Sequence, residues 1–414
     1  MESDVLYFDN AATSYPKPEE VYLACDQALR QLGNPGRGGH RLALNAARIM
    51  FEGREALANF LNLPPERVAF TSGCTAAINL VLNGLVGAGR LVRGDSVLCS
   101  SYEHNAVMRP LQWLSDHSGI KICKIAPALD HHGLVDAENF EALLLQEKPK
   151  LCLLTLASNV SGEVLDLQLA DRLCAKYDVP LLIDGAQGAG SLNLNLAQYP
   201  ALSFFAASAH KGLLGPAGLG FLYINEGQSL DPLYCGGTGS RSESLEMPEY
   251  MPDRLEPGTP AVHLVAGLSA AIAHLEKNGP AIIEGERLLS LYFMQKLRAV
   301  KGVKLHGRPA ESASSENSEK SENSEKSENF EKSENFLPIF ALSIAGVGAD
   351  VAADRLDQKY NIASRPGLHC AVTAHQTLGT VSGGLLRVSF GHANSESEID
   401  RLCLALSAIA AGQS

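Results

Sequence analysis

Between about residues 65 and 225, short apolar runs alternate with segments of helix length, and most runs stop at a polar residue. The run 67–70 precedes Gly73-Cys74-Thr75 and a helical segment, 76–82. The run 96–100 leads through a polar turn to a helix from about Asn105. The run 151–157 stops at Ser158-Asn159. A helix over 167–177 is followed by 179–183, which stops at Asp184. The run 202–207 stops just short of His210-Lys211, and a further short strand, 220–224, follows. This alternation predicts an α/β domain with a mainly parallel sheet covered by helices. In open sheets of that kind ligands sit outside the carboxyl ends of the strands, so the polar residues there are the candidates for function.

The chain has 414 residues, 45% of them apolar, enough for a large core and more than one domain. We expect a large domain over 16–258 and a smaller α/β domain over 259–414 together with 1–15. The second begins with two helical stretches, 261–277 and 281–300, that lead into its α/β part. Residues 312–336 hold a six-residue repeat, SENSEK-SENSEK-SENFEK-SENF, with no apolar stripe able to bury a face, which predicts a disordered surface loop. The repeat contains seven Glu and three Lys, so it carries a third of the net charge of −12 and leaves the body mildly acidic. No basic patch with interleaved aromatics is present, which argues against nucleic acid as a partner. No 18-residue apolar span predicts a membrane helix. The acidic start, MESDVLYFDNAAT, does not resemble a secretory signal, so a cytoplasmic location is expected. Nine cysteines, without a C-x-x-C pair or a Cys/His cluster of zinc spacing, read as reduced thiols.

The strand ends carry a consistent chemistry. Gly73-Cys74-Thr75 opens a helix, where free backbone N–H groups and a hydroxyl suit a phosphate. His104, Asn159 and Asp184 follow successive strands, and Lys211 follows the next. Alone, each has a plain structural reading as a cap, a turn former or a solvated side chain. Together they match the needs of pyridoxal 5'-phosphate: a lysine for a Schiff base, a carboxylate against the ring nitrogen, and an anion site. Burial at the lip of a sheet would lower the lysine pKa and make the amine a nucleophile at neutral pH. The glycines after it, 212–220, would let the backbone turn where side chains would crowd a ligand.

The segments DNAAT, TSGCTAAIN, YEHNAV, SNVSGEV, IDGAQ, SAHKGLLGP and EPGTP resemble the class V branch of fold-type I pyridoxal-phosphate enzymes, and within it the cysteine desulfurases and selenocysteine lyases. The resemblance runs from residue 7 to 400, and the hexad repeat departs from it. It implies that Lys211 carries the cofactor and shuttles protons, that Asp184 pairs with the ring nitrogen and that Gln187 bonds the phenolic oxygen. His104 would stack on the ring. Thr75, Ser208 and His210 would bind the phosphate with help from the Cys74 backbone. Asn159 would approach the ring or the substrate carboxylate. Thr259 would reach the phosphate of a second subunit, which implies a homodimer.

Among the reactions of this family, the segment Ser364-Arg365-Pro366-Gly367-Leu368-His369-Cys370-Ala371 selects one. It resembles the R-x-G-x-x-C-A motif of desulfurases, in which a thiolate takes the sulfur of L-cysteine as a persulfide and leaves L-alanine. Sulfur transfer calls for a soft nucleophile, and a neighbouring His and Arg can favour the thiolate. Arg387 matches the position that clamps the substrate carboxylate, with Arg365 also expected to bind substrate. Leu368 stands where close relatives often have histidine. The resemblance further implies a sulfur-acceptor protein and a place in sulfur metabolism such as iron–sulfur cluster assembly. The alternatives are action on L-selenocysteine, or a transaminase or β-lyase in which Cys370 takes no part. The Gly-rich 34–41 lacks the G-K-[ST] ending of a P-loop, and Arg37, His40 or Arg41 there is a candidate for substrate contact.

Overall fold

The computed structural model describes residues 5–36, 38–128, 133–308 and 336–412. Apart from Phe336, the expected loop 312–336 lies outside the described residues, and so does Arg37. In chain order the elements are β1 (Leu6–Tyr7), α1 (Glu19–Gln31), α2 (Arg41–Leu61), β2 (Val68–Thr71), α3 (Cys74–Gly87), β3 (Ser96–Ser100), α4 (Asn105–Ser118), β4 (Lys121–Ile125), α5 (Ala137–Glu147), β5 (Leu151–Thr155), α6 (Leu167–Lys176), β6 (Leu181–Asp184), β7 (Leu202–Ser208), β8 (Gly220–Ile224) and α7 (Val262–Leu297). Then follow β9 (Val303–His306), β10 (Ile339–Ile344), α8 (Ala349–Tyr360), β11 (Ile362–Ala363), β12 (Arg365–Gly367), α9 (Val372–Thr377), β13 (Leu385–Ser389) and α10 (Glu396–Ala410).

Seven strands form one sheet in the order β2-β8-β7-β6-β5-β3-β4. Only β8 runs against its neighbours; the rest are parallel. The central strands are buried along their whole length because helices cover both faces. Their side chains alternate between two cores. Leu153, Leu182, Phe204 and Leu222 point to one, and Leu154, Ile183, Phe205 and Phe221 to the other. That period of two fixes the register and delivers the carboxyl ends of β5, β6 and β7 to one edge.

A second, antiparallel sheet has the order β12-β13-β10-β9 and its own core around Phe293, Phe340 and Phe390. At its edge the Arg308 guanidinium lies over the rings of Phe336 (4.5 Å) and Phe340 (4.1 Å). It donates to the carbonyls of Leu337 (2.6 Å) and Ile339 (3.1 Å).

The two helical stretches expected at 261–277 and 281–300 are one helix, α7, with Pro280 inside it. Proline removes a backbone donor and usually breaks a helix interior. Here packing holds both sides of it. Val265, Leu268, Ala271, Ile272 and Leu275 sit in the large core, and Phe293 and Leu297 in the small one. Among the described residues, no helix is long and apolar enough to cross a membrane.

Candidate active site

A cavity of about 640 Å³ lies between the carboxyl edge of the large sheet and the loop after β12. On the large-sheet side, Asp184 is the last residue of β6 and is almost fully buried. Its Oδ1 accepts from the Ala186 N–H (2.9 Å) and from Cys74 Sγ (3.2 Å), while Oδ2 has no hydrogen bond among the described residues. His104 caps α4: its Nδ1 accepts from the Ala106 N–H (3.0 Å), which places the ring proton on Nε2. Burial lowers the pKa of this histidine against the pull of Asp184, so the ring is neutral.

The phosphate candidates gather at the start of α3. The first N–H groups of a helix have no partner within it. The Cys74 N–H donates to Ser208 Oγ (3.0 Å), which leaves the hydroxyl proton of Ser208 free to donate. Thr75 lines the same cavity, as does His210, whose Nδ1 is buried without a partner. Burial, aided by Lys211 and Lys17, pushes His210 down to about 4, so it too is neutral.

Lys211 lies in the turn between β7 and β8, partly buried against the cavity. Burial lowers its pKa; Asp184 and Cys74 oppose this, and Arg387 adds to it. The turn is braced from behind by Lys17, whose Nζ donates to Ser14 Oγ and to the His210 carbonyl, both at 2.7 Å. The glycines after Lys211 do less turning than the sequence suggests. Only Gly218 among them has a positive φ, of 88°. At Gly212 a Cβ would come within 2.3 Å of Ser191 Oγ, and at Gly220 within 2.5 Å of Gly73 Cα. Their role is close approach, which seats the start of β8 directly against the entry to α3.

On the opposite side, the cysteine loop follows β12, which pairs with β13. Cys370 is exposed at the cavity. His369 and Cys370 are consecutive non-glycine residues at positive φ, 49° and 54°, a conformation that costs about 1–3 kcal/mol each. Asn159 Nδ2 donates to the His369 carbonyl (2.8 Å), and the Asn105 N–H to the Cys370 carbonyl (2.6 Å). Arg387 is 2% exposed and donates through Nη1 to the Asn159 carbonyl (3.0 Å) and through Nη2 to Asp9 (2.9 Å); its Nε is buried without a partner. Arg365 grips the same Asp9 carboxylate through Nε (2.9 Å) and Nη2 (2.7 Å).

One expectation is corrected here. His369 does not activate Cys370: both of its ring nitrogens are bonded elsewhere, to His375 and to the Arg365 carbonyl. Burial also pushes its pKa down to about 3, so it brings no positive charge. Arg365, which lines the cavity with Cys370, is the positively charged side chain in this segment.

The cavity thus gathers Cys74, Thr75, His104, Asn159, Asp184, Gln187, Ser208, His210, Lys211, Arg365, Cys370 and Arg387. Gln187 donates to the Ala11 carbonyl (2.9 Å) and has a second amide proton to offer. Thr259 is not among them: it lines a separate cavity of about 340 Å³ with Thr71, Ser72 and Gly258. His40 serves as the cap of α2. Sequence reasoning missed Asp9, Lys17 and Glu103. Asp9 and Lys17 stand in or beside the DNAAT segment, yet what singles them out is contact with residues far along the chain. Glu103, the residue before His104, is fully buried, and its Oε1 accepts from Ser100 Oγ (2.5 Å) and the Thr155 N–H (2.9 Å). Burial drives its pKa up to about 8.

The residues present fit pyridoxal phosphate. An unpaired carboxylate oxygen on Asp184 awaits a cationic N–H, and an unpaired His210 Nδ1 and a helix start await an anion. The Lys211 amine, its pKa lowered by burial, belongs to a residue lining the same cavity. Together with the mainly parallel sheet, this defines a fold-type I scaffold of the pyridoxal-phosphate enzymes. The chain belongs to the class V aminotransferase family, whose sequence model, Aminotransferase class-V, matches residues 6–402. A probable cysteine desulfurase of Methanothermobacter thermautotrophicus is 29% identical over 98% of this chain and 95% of its own length. A probable cysteine desulfurase of Pyrococcus abyssi is 34% identical over 69% of this chain and 70% of its own. The apo cysteine desulfurase of Thermococcus onnurineus NA1 matches the fold with a TM-score of 0.86 at 28% identity, over 99% of this chain and 95% of that one.

Proposed function

We propose that the chain is a pyridoxal 5'-phosphate-dependent cysteine desulfurase, with Cys370 receiving the sulfur of L-cysteine. The observation that carries this reading is the meeting of Lys211 and Cys370, borne on opposite sheets, at one cavity. The cofactor, when bound, supplies an electrophilic carbon and an electron sink. Asp184 would hold its ring nitrogen, Gln187 its phenolic oxygen, and Thr75, Ser208, His210 and the Cys74 N–H its phosphate. His104, neutral and fixed by its bond to Ala106, would cover the ring.

Lys211 Nζ takes and returns protons; burial lowers its pKa, which favours the neutral amine that can accept one. Arg387 orients the substrate carboxylate through its unpaired Nε, with the Asn159 amide alongside. In the net reaction the C–S bond of L-cysteine breaks and an S–S bond to the Cys370 thiolate forms. The electron pair of the broken bond stays with carbon, which takes a proton to give L-alanine. The exposed position of Cys370 then leaves the persulfide open to an acceptor protein. We read Thr259, at its separate cavity, as a contribution to the phosphate site of a second copy. The exposed Leu42, Leu44 and Phe51 on α2 supply apolar surface for such a homodimer.

The test is to supply L-cysteine and a thiol reductant and to quantify alanine and sulfide together. Wild-type protein should release equal amounts of both, and Cys370→Ala should release neither at a comparable rate. Undiminished products from the variant would exclude Cys370 as the nucleophile and leave a transaminase or β-lyase.

A further inference from the structure

Three side chains behind the cysteine loop form a chain with a single direction. Thr380 Oγ1 lies 2.8 Å from His375 Nδ1, His375 Nε2 lies 3.2 Å from His369 Nδ1, and His369 Nε2 lies 3.1 Å from the Arg365 carbonyl oxygen. A carbonyl can only accept, so His369 Nε2 carries a proton. Burial favours the neutral form of both rings. His369 Nδ1 therefore accepts, His375 Nε2 donates, and His375 Nδ1 accepts from the Thr380 hydroxyl. No other arrangement of protons on two neutral rings satisfies all three contacts. The two rings are nearly parallel, with centroids 5.3 Å apart, and His375 is fully buried.

What this chain holds is the loop that presents the thiol. The Arg365 carbonyl belongs to the first residue of β12, which leads into the loop, and the two residues at positive φ, His369 and Cys370, lie at its far end. Such backbone persists only where its surroundings over-determine it. Asn159 and Asn105 hold the carbonyls of His369 and Cys370. The His369 ring supplies a third hold, reaching back to the first residue of β12, the strand that leads into the loop. Neither His375 nor Thr380 lines the cavity, so neither acts on a bound molecule directly.

We propose that Thr380 and His375 are positioning residues for Cys370. The Thr380 hydroxyl fixes the tautomer of His375, His375 fixes that of His369, and His369 ties the loop into the shape that presents the thiol. The role of the thiol rests on the desulfurase reading; the hold on the loop does not. Without the hydroxyl, a proton moved to His375 Nδ1 would set two lone pairs against each other at His369. The position of Thr380 itself is secured by its N–H, which donates to the His375 carbonyl (2.8 Å).

The experiment compares wild-type holoenzyme with Thr380→Val, His375→Gln and His375→Leu. Hydrogen exchange is followed on the peptide spanning 365–371, and kcat and KM are measured with L-cysteine. Thr380→Val should exchange about tenfold faster in that peptide, the mark of a local opening made easier. Its kcat should fall about tenfold with KM within about twofold, because the loss falls on the reacting geometry and not on substrate binding. Glutamine can donate toward His369 and accept from Thr380, so His375→Gln should keep kcat within about threefold, while His375→Leu falls like Thr380→Val. A leucine variant as active as the glutamine variant would show a packing role and overturn the proposal. So would Thr380→Val with unchanged exchange, or with faster exchange and unchanged kcat. If the wild type releases no alanine, the desulfurase reading fails, and exchange alone decides: no acceleration in Thr380→Val and His375→Leu overturns the relay.

Discussion

The two sheets bring polar atoms to the cavity in opposite conditions. At the edge of the large sheet, Asp184 Oδ2 and His210 Nδ1 have no hydrogen-bond partner among the described residues, and Lys211 is held by its backbone and not by its amine. On the small-sheet side, Arg365 and His369 are already bonded to the protein, and Arg387 keeps only Nε unpaired among the described residues. Unpaired buried polar atoms are costly, so a fold retains them where a ligand will complete them. A nucleophile on a loop has the opposite need, because its own surroundings must hold it in place. The incomplete half is thus the half suited to receive a cofactor, and the satisfied half is the one suited to present a residue of the chain.

Four substitutions and one deletion probe this contrast, from the largest expected effect down. Lys211→Ala should lower alanine formation by about 10⁴-fold, the upper range for a lost proton-transfer group, and should abolish the visible absorbance of the lysine-bound cofactor. Cys370→Ala should lower sulfide release by at least about 10²-fold, as expected when a positioned reacting group is removed, yet keep that absorbance. The same absorbance loss in both variants would erase the distinction between the halves. Asp9→Ala leaves Arg387 buried without its charge partner and should cost about 3–5 kcal/mol in urea unfolding, since Asp9 and Arg387 are 7% and 2% exposed.

Glu103→Gln tests the buried carboxyl next to His104 in the chain through pH. A carboxyl raised by burial to about 8 binds its proton more tightly in the folded state. Its contribution to stability is full below about pH 4 and is lost as pH rises through 8. Glu286 is raised by burial in the same sense. The variant should therefore flatten, not abolish, the fall in unfolding free energy between about pH 5 and 8. Last, deleting one SENSEK hexad from 315–326 should change stability by less than about 0.5 kcal/mol and leave kcat unchanged.

The large sheet was legible because its signal is local. Apolar runs such as 96–100 and 202–207 announce buried parallel strands, and the residue at each run's end faces the ligand edge by geometry. β4, KICKI, escaped: as an edge strand with an exposed lysine at its start, it lacks the continuous apolar run. Asp184, Lys211 and His104 were found on the same local grounds. Asp9 was not, because its importance lies in two arginines more than 350 residues away, and nothing in the spelling of DNAAT predicts that pairing. His369 failed for a related reason. Adjacency in sequence to Cys370 suggested contact, but consecutive residues at positive φ turn neighbouring side chains apart, and its ring faces His375 instead.

Arg308, stacked on Phe336 and Phe340 and bonded to the carbonyls of Leu337 and Ile339, fastens the last residue before the repeat-bearing segment to the first ones after it. Beyond such a clasp, each doubling of length adds only about 0.6 kcal/mol of closure entropy. The number of hexads is thereby uncoupled from the framework, because Arg308 and Phe336, the described residues that flank the segment, meet at the small sheet whatever its length.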